Sequence, residues 1–127
     1  MIAPAWQKDL YKYIAGTIRG LDGEPLRIGG VADHVHILVG LKASHCLADF
    51  MREMKKASSS WAADPSRDAR FRWQEGYAAF SVSASVRPTV ENYIDDQEEH
   101  HRVRTFREEL IEFLQRSGVP YDERYLD

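Results

Sequence analysis

Two histidines separated by one residue are the strongest candidates for chemistry in this chain. His34 and His36 lie in an apolar run, residues 28–41, whose β-branched residues favour a strand over a helix. Side chains at i and i+2 of a strand leave on the same face, so both imidazoles are expected to point one way. Two convergent imidazoles beside Asp33 are a common beginning of a divalent-metal site. Alone, such a pair is more often structural, so a third ligand has to come from elsewhere.

A tyrosine and a glutamine further along supply what the histidines lack. Tyr93 and Gln97 stand at i and i+4 of a helix predicted after Pro88, and therefore share one face. The Gln97 amide oxygen suits a hard cation, and imidazole with carbonyl ligation favours Mg²⁺ or Mn²⁺ over structural zinc. The Tyr93 phenol titrates near pH ~10 and needs a nearby metal or phosphate to become a nucleophile. Together these groups indicate phosphoryl transfer through a covalent phosphotyrosine.

The first half of the chain predicts the elements that position the histidines. Apolar residues recur at helical spacing over residues 4–19, with Pro4 in the first turn. Strands over 26–31 and 34–41, joined around Ala32-Asp33, predict an antiparallel hairpin. Ser44 is the expected N-cap of a helix that runs to about residue 63.

The second half predicts one more strand and two more helices. Residues 77–83 resemble a third strand with Tyr77 and Phe80 as packing residues. A helix is expected from Pro88 to about residue 101, and a last one over 105–116 that ends at a Gly-Val-Pro stop. The prediction is a single α+β domain over residues 1–127, with helices packed on an antiparallel sheet.

Composition agrees with one globular domain. The chain has 127 residues, of which 43% are hydrophobic and 29% charged. No stretch approaches the ~20 apolar residues that span a bilayer, so no membrane partner is expected. The one cysteine, Cys46, cannot form an internal disulfide, which fits a reducing cytoplasm.

Four motifs occur in order along the chain. They are DHVHILV at 33–39, FMREMKKASS at 50–59, WQEGYAAFSVS at 73–83 and YIDDQEEHH at 93–101. This succession resembles the single-tyrosine HUH transposases of bacterial insertion sequences, of the IS200-like type, and their repetitive-extragenic-palindrome-associated relatives. HUH stands for histidine, hydrophobe, histidine. The resemblance extends over about residues 2–107, and four ordered motifs are far more specific than His-x-His alone.

The resemblance implies a ferredoxin-like HUH transposase fold and a metal-dependent enzyme that cleaves and rejoins single-stranded DNA near a hairpin. By position, His34 and His36 correspond to the histidine ligands of Mg²⁺ or Mn²⁺ and Gln97 to the third ligand. Tyr93 corresponds to the nucleophile that forms a 5′-phosphotyrosine and frees a 3′-OH. The resemblance also implies a homodimer, in which the tyrosine helix of one subunit can complete the metal site of the other.

One departure from the family concerns the start of the chain. Family members usually begin with a strand before the helix that here starts at Pro4, and this chain has almost nothing there. The sheet is therefore expected to lack the family's first strand and to leave an unpaired edge beside the histidine strand. An upstream start, a decayed copy and a dimer partner that covers the gap are all open.

Any attraction to DNA has to be local, because the formal net charge is −3. The candidate contacts carry a positive charge or a ring that can stack on a base; they are Arg52, Lys55, Lys56, Arg70, Arg72 and Trp73. The alternative for each basic group is a solvated face.

Three functions compete at this stage. The first is a transposase with Tyr93 as the nucleophile. The second is a non-catalytic hairpin-DNA-binding relic, or a domesticated homologue, that keeps the fold. The third is an unrelated metal-dependent phosphoesterase with a water nucleophile, which leaves Tyr93 without a role.

Overall fold

A computed structural model describes residues 1–73 and 79–96, together with four helical positions at 108, 111, 112 and 115. The chain is α+β, with a two-stranded antiparallel sheet in the part described, which confirms the predicted class. In chain order the elements are α1 (Pro4–Gly20), β1 (Glu24–Val31), β2 (His34–Gly40), α2 (Leu47–Ala62), a short 3₁₀ turn (Ala84–Val86) and α3 (Arg87–Asp95).

Helix α1 begins where the sequence predicts and buries one stripe. Pro4 lies in its first turn, where a missing N–H costs nothing, and every fourth residue from Trp6 to Ile18 is buried. Residues 1–3 form no strand, as expected, but the Ile2 N–H donates to the Ala32 carbonyl oxygen at 2.7 Å. The start of the chain is thereby tied to the hairpin turn.

The sheet presents different residues to the helices on its two faces. Strands β1 and β2 are joined by the two-residue turn Ala32-Asp33 and pair from Val31 with His34 down to Glu24 with Gly40. On one face, Val35, Ile37 and Val39 pack against the core that α1 and α2 form. On the opposite face, Leu38 packs against Val90 and Ile94 of α3. The alternation of a strand therefore puts His34 and His36 on the α3 face.

Helix α3 approaches this face closely at one glycine of β1. Gly29 pairs with His36, and a Cβ at Gly29 would lie 2.7 Å from both the Cγ2 atom and the carbonyl oxygen of Ile94. Real Cβ atoms do not come this close to another heavy atom, so the helix can lie here only because residue 29 has no side chain.

An ion pair adds direction to this apolar contact. The Arg27 guanidinium on β1 donates to Glu91 of α3 at 2.5 Å, and its Nε lies 3.7 Å from the Asp95 carboxylate. Glu91 also accepts a hydrogen bond from Arg87 at 2.7 Å. Hydrogen bonds from cationic donors lower the pKa of Glu91 below its ordinary value, with the Arg27 bond as the largest cause.

The predicted Ser44 cap is wrong, because α2 begins at Leu47 and its N-cap, Cys46, makes no side-chain hydrogen bond. His45 shapes this connection instead. Its Nδ1 accepts from the Lys42 N–H at 2.8 Å, while its Nε2 lies 2.6 Å from the Leu21 carbonyl oxygen. Nε2 must donate to that oxygen, so these contacts require the neutral Nε2–H form and pull the chain back toward the end of α1.

The third strand is wrong for residues 79–83, which the structure leaves irregular before the 3₁₀ turn; the rest of that prediction lies outside the described residues. Serine hydroxyls in this stretch bond locally, as Ser83 does with Ser85, and such bonds compete with a strand ladder. Val82 of this stretch and Val86 of the 3₁₀ turn pack on the cluster of Leu38, Val90 and Ile94.

Helix α3 starts at Arg87, one residue before Pro88, and its predicted continuation to residue 101 lies outside the described residues. The last predicted helix also lies largely outside them, although Glu108, Ile111, Glu112 and Gln115 are helical.

We expect Gly29→Ala to lower the free energy of unfolding by about 1–3 kcal/mol, because the new methyl group forces α3 away from β1. The matched control is Gly16→Ala in α1, where a Cβ meets nothing within 4 Å. That change should stabilise the protein by about 0.5–1 kcal/mol, because alanine is the better helix former. Urea unfolding of both variants measures the contrast, and equal midpoints would contradict the close approach at Gly29.

Acid should weaken the Arg27–Glu91 contact. The folded-state pKa of Glu91 is lowered, so its contribution is present above the unfolded pKa and is lost as the pH falls through the folded value. Glu91→Gln is therefore expected to be less stable than the parent at neutral pH and to lose less stability on acidification. Urea midpoints measured from about pH 7 downward test this, and parallel curves for the two proteins would count against it.

Candidate metal and nucleophile site

The two histidine rings lie together on β2. Their centroids are 5.1 Å apart and their planes are nearly perpendicular, at 86°. His34 is buried, with 6% of its surface exposed, and His36 is half-buried. A rigid strand thus holds two imidazoles side by side on the face that α3 covers.

Asp33 fixes the orientation of the first ring. Its Oδ1 lies 2.7 Å from the His34 Nδ1, a hydrogen-bonding distance. A neutral imidazole that donates from Nδ1 carries its lone pair on Nε2, which is the nitrogen then able to bind a metal. Asp33 therefore serves both as a residue of the hairpin turn and as the partner that selects the His34 tautomer.

Tyr93 reaches the second ring from helix α3. Its centroid lies 5.7 Å from that of His36, edge to face at 81°. Tyr93 is 4% exposed, and the residue that follows it, Ile94, is the one that lies on Gly29. The structure thus brings together three of the four residues in the predicted site, His34, His36 and Tyr93.

Gln97, the fourth, lies outside the described residues, which also contain no group of three or more His, Cys, Asp or Glu side chains able to hold a metal. Two imidazoles, one of them oriented by a carboxylate, are a partial donor set that fits a divalent cation when an oxygen ligand completes it.

The predicted DNA contacts on α2 are not gathered around the histidines. Arg52 pairs with Asp49 at 2.9 Å and lies 3.5 Å from Glu53, so acidic neighbours already offset its charge. Lys55 and Lys56 lie on the same helix, which packs with α1 against the opposite face of the sheet from α3. These cations are therefore separated from the histidines by the sheet.

The other predicted DNA contacts follow α2. Arg70 and Arg72 are exposed. Trp73 is half-buried, where its indole N–H donates to the buried Ser58 hydroxyl at 2.8 Å and its ring packs edge to face on Phe71. These contacts give Trp73 a place in the packing of α2, and its contact with a base stays a prediction.

The pair Arg27 and Glu91 was missed by the sequence reasoning. The two residues are 64 positions apart, and each resembles an ordinary surface charge. The only signal is weak: a basic residue in a strand otherwise rich in apolar residues, and an acidic one two positions before Tyr93.

No helix in the described residues is long and apolar enough to cross a membrane. Comparisons with curated proteins and with solved structures gave no significant match. A family model described as "Transposase IS200 like" matches residues 1–97, a span that includes both histidines, Tyr93 and Gln97. Because the match takes in most of the 127 residues, the chain belongs to the IS200-like transposase family.

Proposed function

We propose that this transposase cleaves and rejoins single-stranded DNA that contains a hairpin, with Tyr93 as the nucleophile. The observation that carries the proposal is the contact between the Tyr93 and His36 rings, 5.7 Å between centroids, in a family whose members act on DNA. A tyrosine can pack edge to face on a histidine without any chemistry, but a nucleophile has to lie next to the groups that hold the reacting phosphate, and Tyr93 does so in this family.

In the proposed step, the Tyr93 oxygen attacks the phosphorus of one phosphodiester. The new bond is a 5′-phosphotyrosine, and the bond that breaks releases a 3′-OH. The phenol loses one proton and the departing oxygen gains one, so the step balances. Because the phosphotyrosine conserves the phosphoester bond, a 3′-OH can later attack it and rejoin strands, which hydrolysis does not permit.

His34, His36 and Gln97 are the proposed ligands of Mg²⁺ or Mn²⁺. When bound, the cation would neutralise phosphate charge and polarise the phosphorus toward attack. The carboxylate of Asp33 holds the His34 ring through Nδ1, so that Nε2 is presented as the donor. The strand fixes both imidazoles, which means that little order has to be gained when the cation binds.

Tyr93 is only 4% exposed, so DNA binding has to uncover its phenol.

We extend the proposal to a homodimer that works in the cytoplasm. Support for the dimer comes from the sheet, which has two strands in the described part of the chain and offers backbone edges that a second copy can cover. A DNA substrate and the single cysteine, Cys46, fit a reducing compartment.

Incubation of hairpin-containing single-stranded DNA with the protein and Mn²⁺ should give a protein–DNA adduct that survives denaturation. Tyr93→Phe keeps the ring that packs on His36 but removes the nucleophile, so the adduct should be lost while the fold is kept. The matched control is Tyr13→Phe, because Tyr13 is an exposed tyrosine of α1 and should not affect the adduct. Denaturing gels of labelled DNA measure the yield.

The same gels separate the competing functions. Cleavage without an adduct that survives in Tyr93→Phe would overturn the proposal in favour of a water nucleophile. Binding without cleavage by the unchanged protein would support the DNA-binding relic.

Metal affinity provides a second test that does not need DNA. Mn²⁺ titrated calorimetrically into the protein should bind at least about tenfold more weakly to His34→Ala and His36→Ala, and about 10–100-fold more weakly to Asp33→Ala. His45→Gln is the control, because His45 bonds backbone groups in the loop before α2. Equal affinity in His34→Ala, His36→Ala and the parent would place the metal elsewhere.

A further inference from the structure

In the part of the chain that the structure describes, helix α3, which carries Tyr93, is short and makes only a small buried apolar contact with the sheet. It is nine residues long and has no side-chain cap, and isolated helices below ~12–15 residues are marginal in water. The buried part of its apolar contact with the sheet is the small cluster of Leu38, Val90 and Ile94. The fit of Ile94 on Gly29 allows the helix to come close to the strand. Apolar burial is not directional, so it does not by itself fix how the helix is rotated or how far it is shifted along the strand.

Arg27 provides the missing direction. It lies on β1 two residues before Gly29 and reaches α3 on both sides of Tyr93, with Glu91 at 2.5 Å and Asp95 at 3.7 Å. The Glu91 side chain is 19% exposed and that of Arg27 is 41% exposed, so the pair is partly removed from water. A charge-assisted hydrogen bond in such a setting is stronger and more geometrically selective than a fully exposed pair.

The position that Arg27 selects is the one in which Tyr93 meets His36. A shift of α3 by one turn would move Tyr93 by about 5.4 Å, and a rotation by one residue would turn it by about 100°. The shift is about as large as the 5.7 Å between the two ring centroids, and the rotation turns the tyrosine away from the sheet, so either one separates the rings. The residue pair Gly29 and His36 therefore determines how close α3 comes to the sheet. Arg27 determines the register of the helix, meaning its rotation and its position along the strand.

We propose that Arg27 is a positioning residue for Tyr93, acting through Glu91 to hold α3 in the register that places the tyrosine beside His36. The proposal rests on the function proposed above, in which Tyr93 is the nucleophile. Arg27 itself need not touch DNA.

The test compares variants at both ends of the contact. Arg27→Gln and Glu91→Gln each remove the contact, Arg27→Lys keeps the charge, and the double glutamine variant tests whether the two residues act as a pair. Arg87→Gln is the matched control, because it removes the other hydrogen bond to the same carboxylate but lies within α3. Circular dichroism and urea unfolding establish that each variant is folded.

Two quantities are measured on each variant. One is the nuclear Overhauser effect between the ring protons of Tyr93 and His36, which requires neither DNA nor metal. The other is the rate of adduct formation at saturating hairpin DNA, together with the Kd for that DNA.

We expect Arg27→Gln and Glu91→Gln each to lose most of the Overhauser effect. Each should also form the adduct at least about tenfold more slowly, because misplacement of a reacting group by about 1 Å can cost 100-fold. The Kd should stay within about twofold of the parent, the double variant should be no slower than either single one, and Arg27→Lys should recover most of the rate. Arg87→Gln should resemble the parent in both measurements.

Three results would overturn the positioning role. An unchanged Overhauser effect in Arg27→Gln means that the contact does not set the register. A slow Arg27→Gln beside a normal Glu91→Gln means that Arg27 acts on the DNA directly. An Arg87→Gln variant as impaired as Arg27→Gln means that helix stability, and not register, is responsible.

Failure of the underlying function gives a different pattern. If the parent protein forms no adduct with any hairpin DNA, the proposed nucleophile is wrong, while the Overhauser comparison still decides whether Arg27 sets the position of Tyr93.

Discussion

The chain can place a helix on the histidine face of its sheet because one residue of β1 has no side chain. At Gly29 the backbone and side chain of Ile94 occupy the space that a Cβ would need. Gly29 pairs with His36 across the hairpin, so the close approach of α3 to the sheet occurs at the residue pair that contains this histidine. Tyr93 precedes Ile94 and contacts the His36 ring as a result. The candidate site is thus a consequence of close backbone packing as much as of its polar residues.

Two polar contacts then orient the side chains that this packing brings together. One joins neighbours in the sequence, and the other joins distant segments. Asp33 acts on its neighbour in sequence, because a two-residue turn leaves its carboxylate beside the His34 ring. The tightness of this hairpin also depends on Gly30, where a Cβ would collide with the His34 carbonyl oxygen. Arg27 acts across the fold on Glu91. The first contact selects a tautomer within a strand, and the second selects the position of a helix, so a loss at either point would leave the secondary structure intact and the site misaligned.

Local signals in the sequence predicted α1 and the β1–β2 hairpin well. Pro4 and the apolar spacing of α1 gave a helix that ends one residue from the observed Gly20, and the alternation around Ala32-Asp33 gave the hairpin. These features depend on near neighbours in the chain. Ser44 misled because a good capping residue was present, yet His45 bonds the nearby Lys42 N–H and the distant Leu21 carbonyl oxygen, and α2 begins only at Leu47.

What the sequence did not reveal depends on contacts between distant segments. Residues 79–83 have strand-like composition but form no ladder, and their valine side chain packs on α3 instead. The Arg27–Glu91 contact joins residues 64 positions apart, and the requirement for Gly29 comes from Ile94, 65 positions away. No periodicity or spacing rule connects such residues. The spacing of Tyr93 and Gln97 gave only weak support for pairing Tyr93 with the histidines, and the four ordered motifs of the family resemblance made that support specific.

One face of the sheet packs on the main core, and the other face carries the candidate site. The larger core, with Trp6, Leu10 and Phe50 among its members, lies between α1, α2 and one face. On the other face, the apolar cluster that the structure describes has Leu38, Val90 and Ile94 as its buried members. At about 1.5–3 kcal/mol for each fully buried aliphatic side chain, this smaller cluster stabilises the position of α3 less than the main core stabilises α1 and α2. A directional contact such as Arg27–Glu91 therefore has more influence on the position of α3 than it would have inside the main core. The proposed nucleophile is thus carried by the helix with the smaller apolar cluster, and one directional contact defines the register in which Tyr93 meets His36.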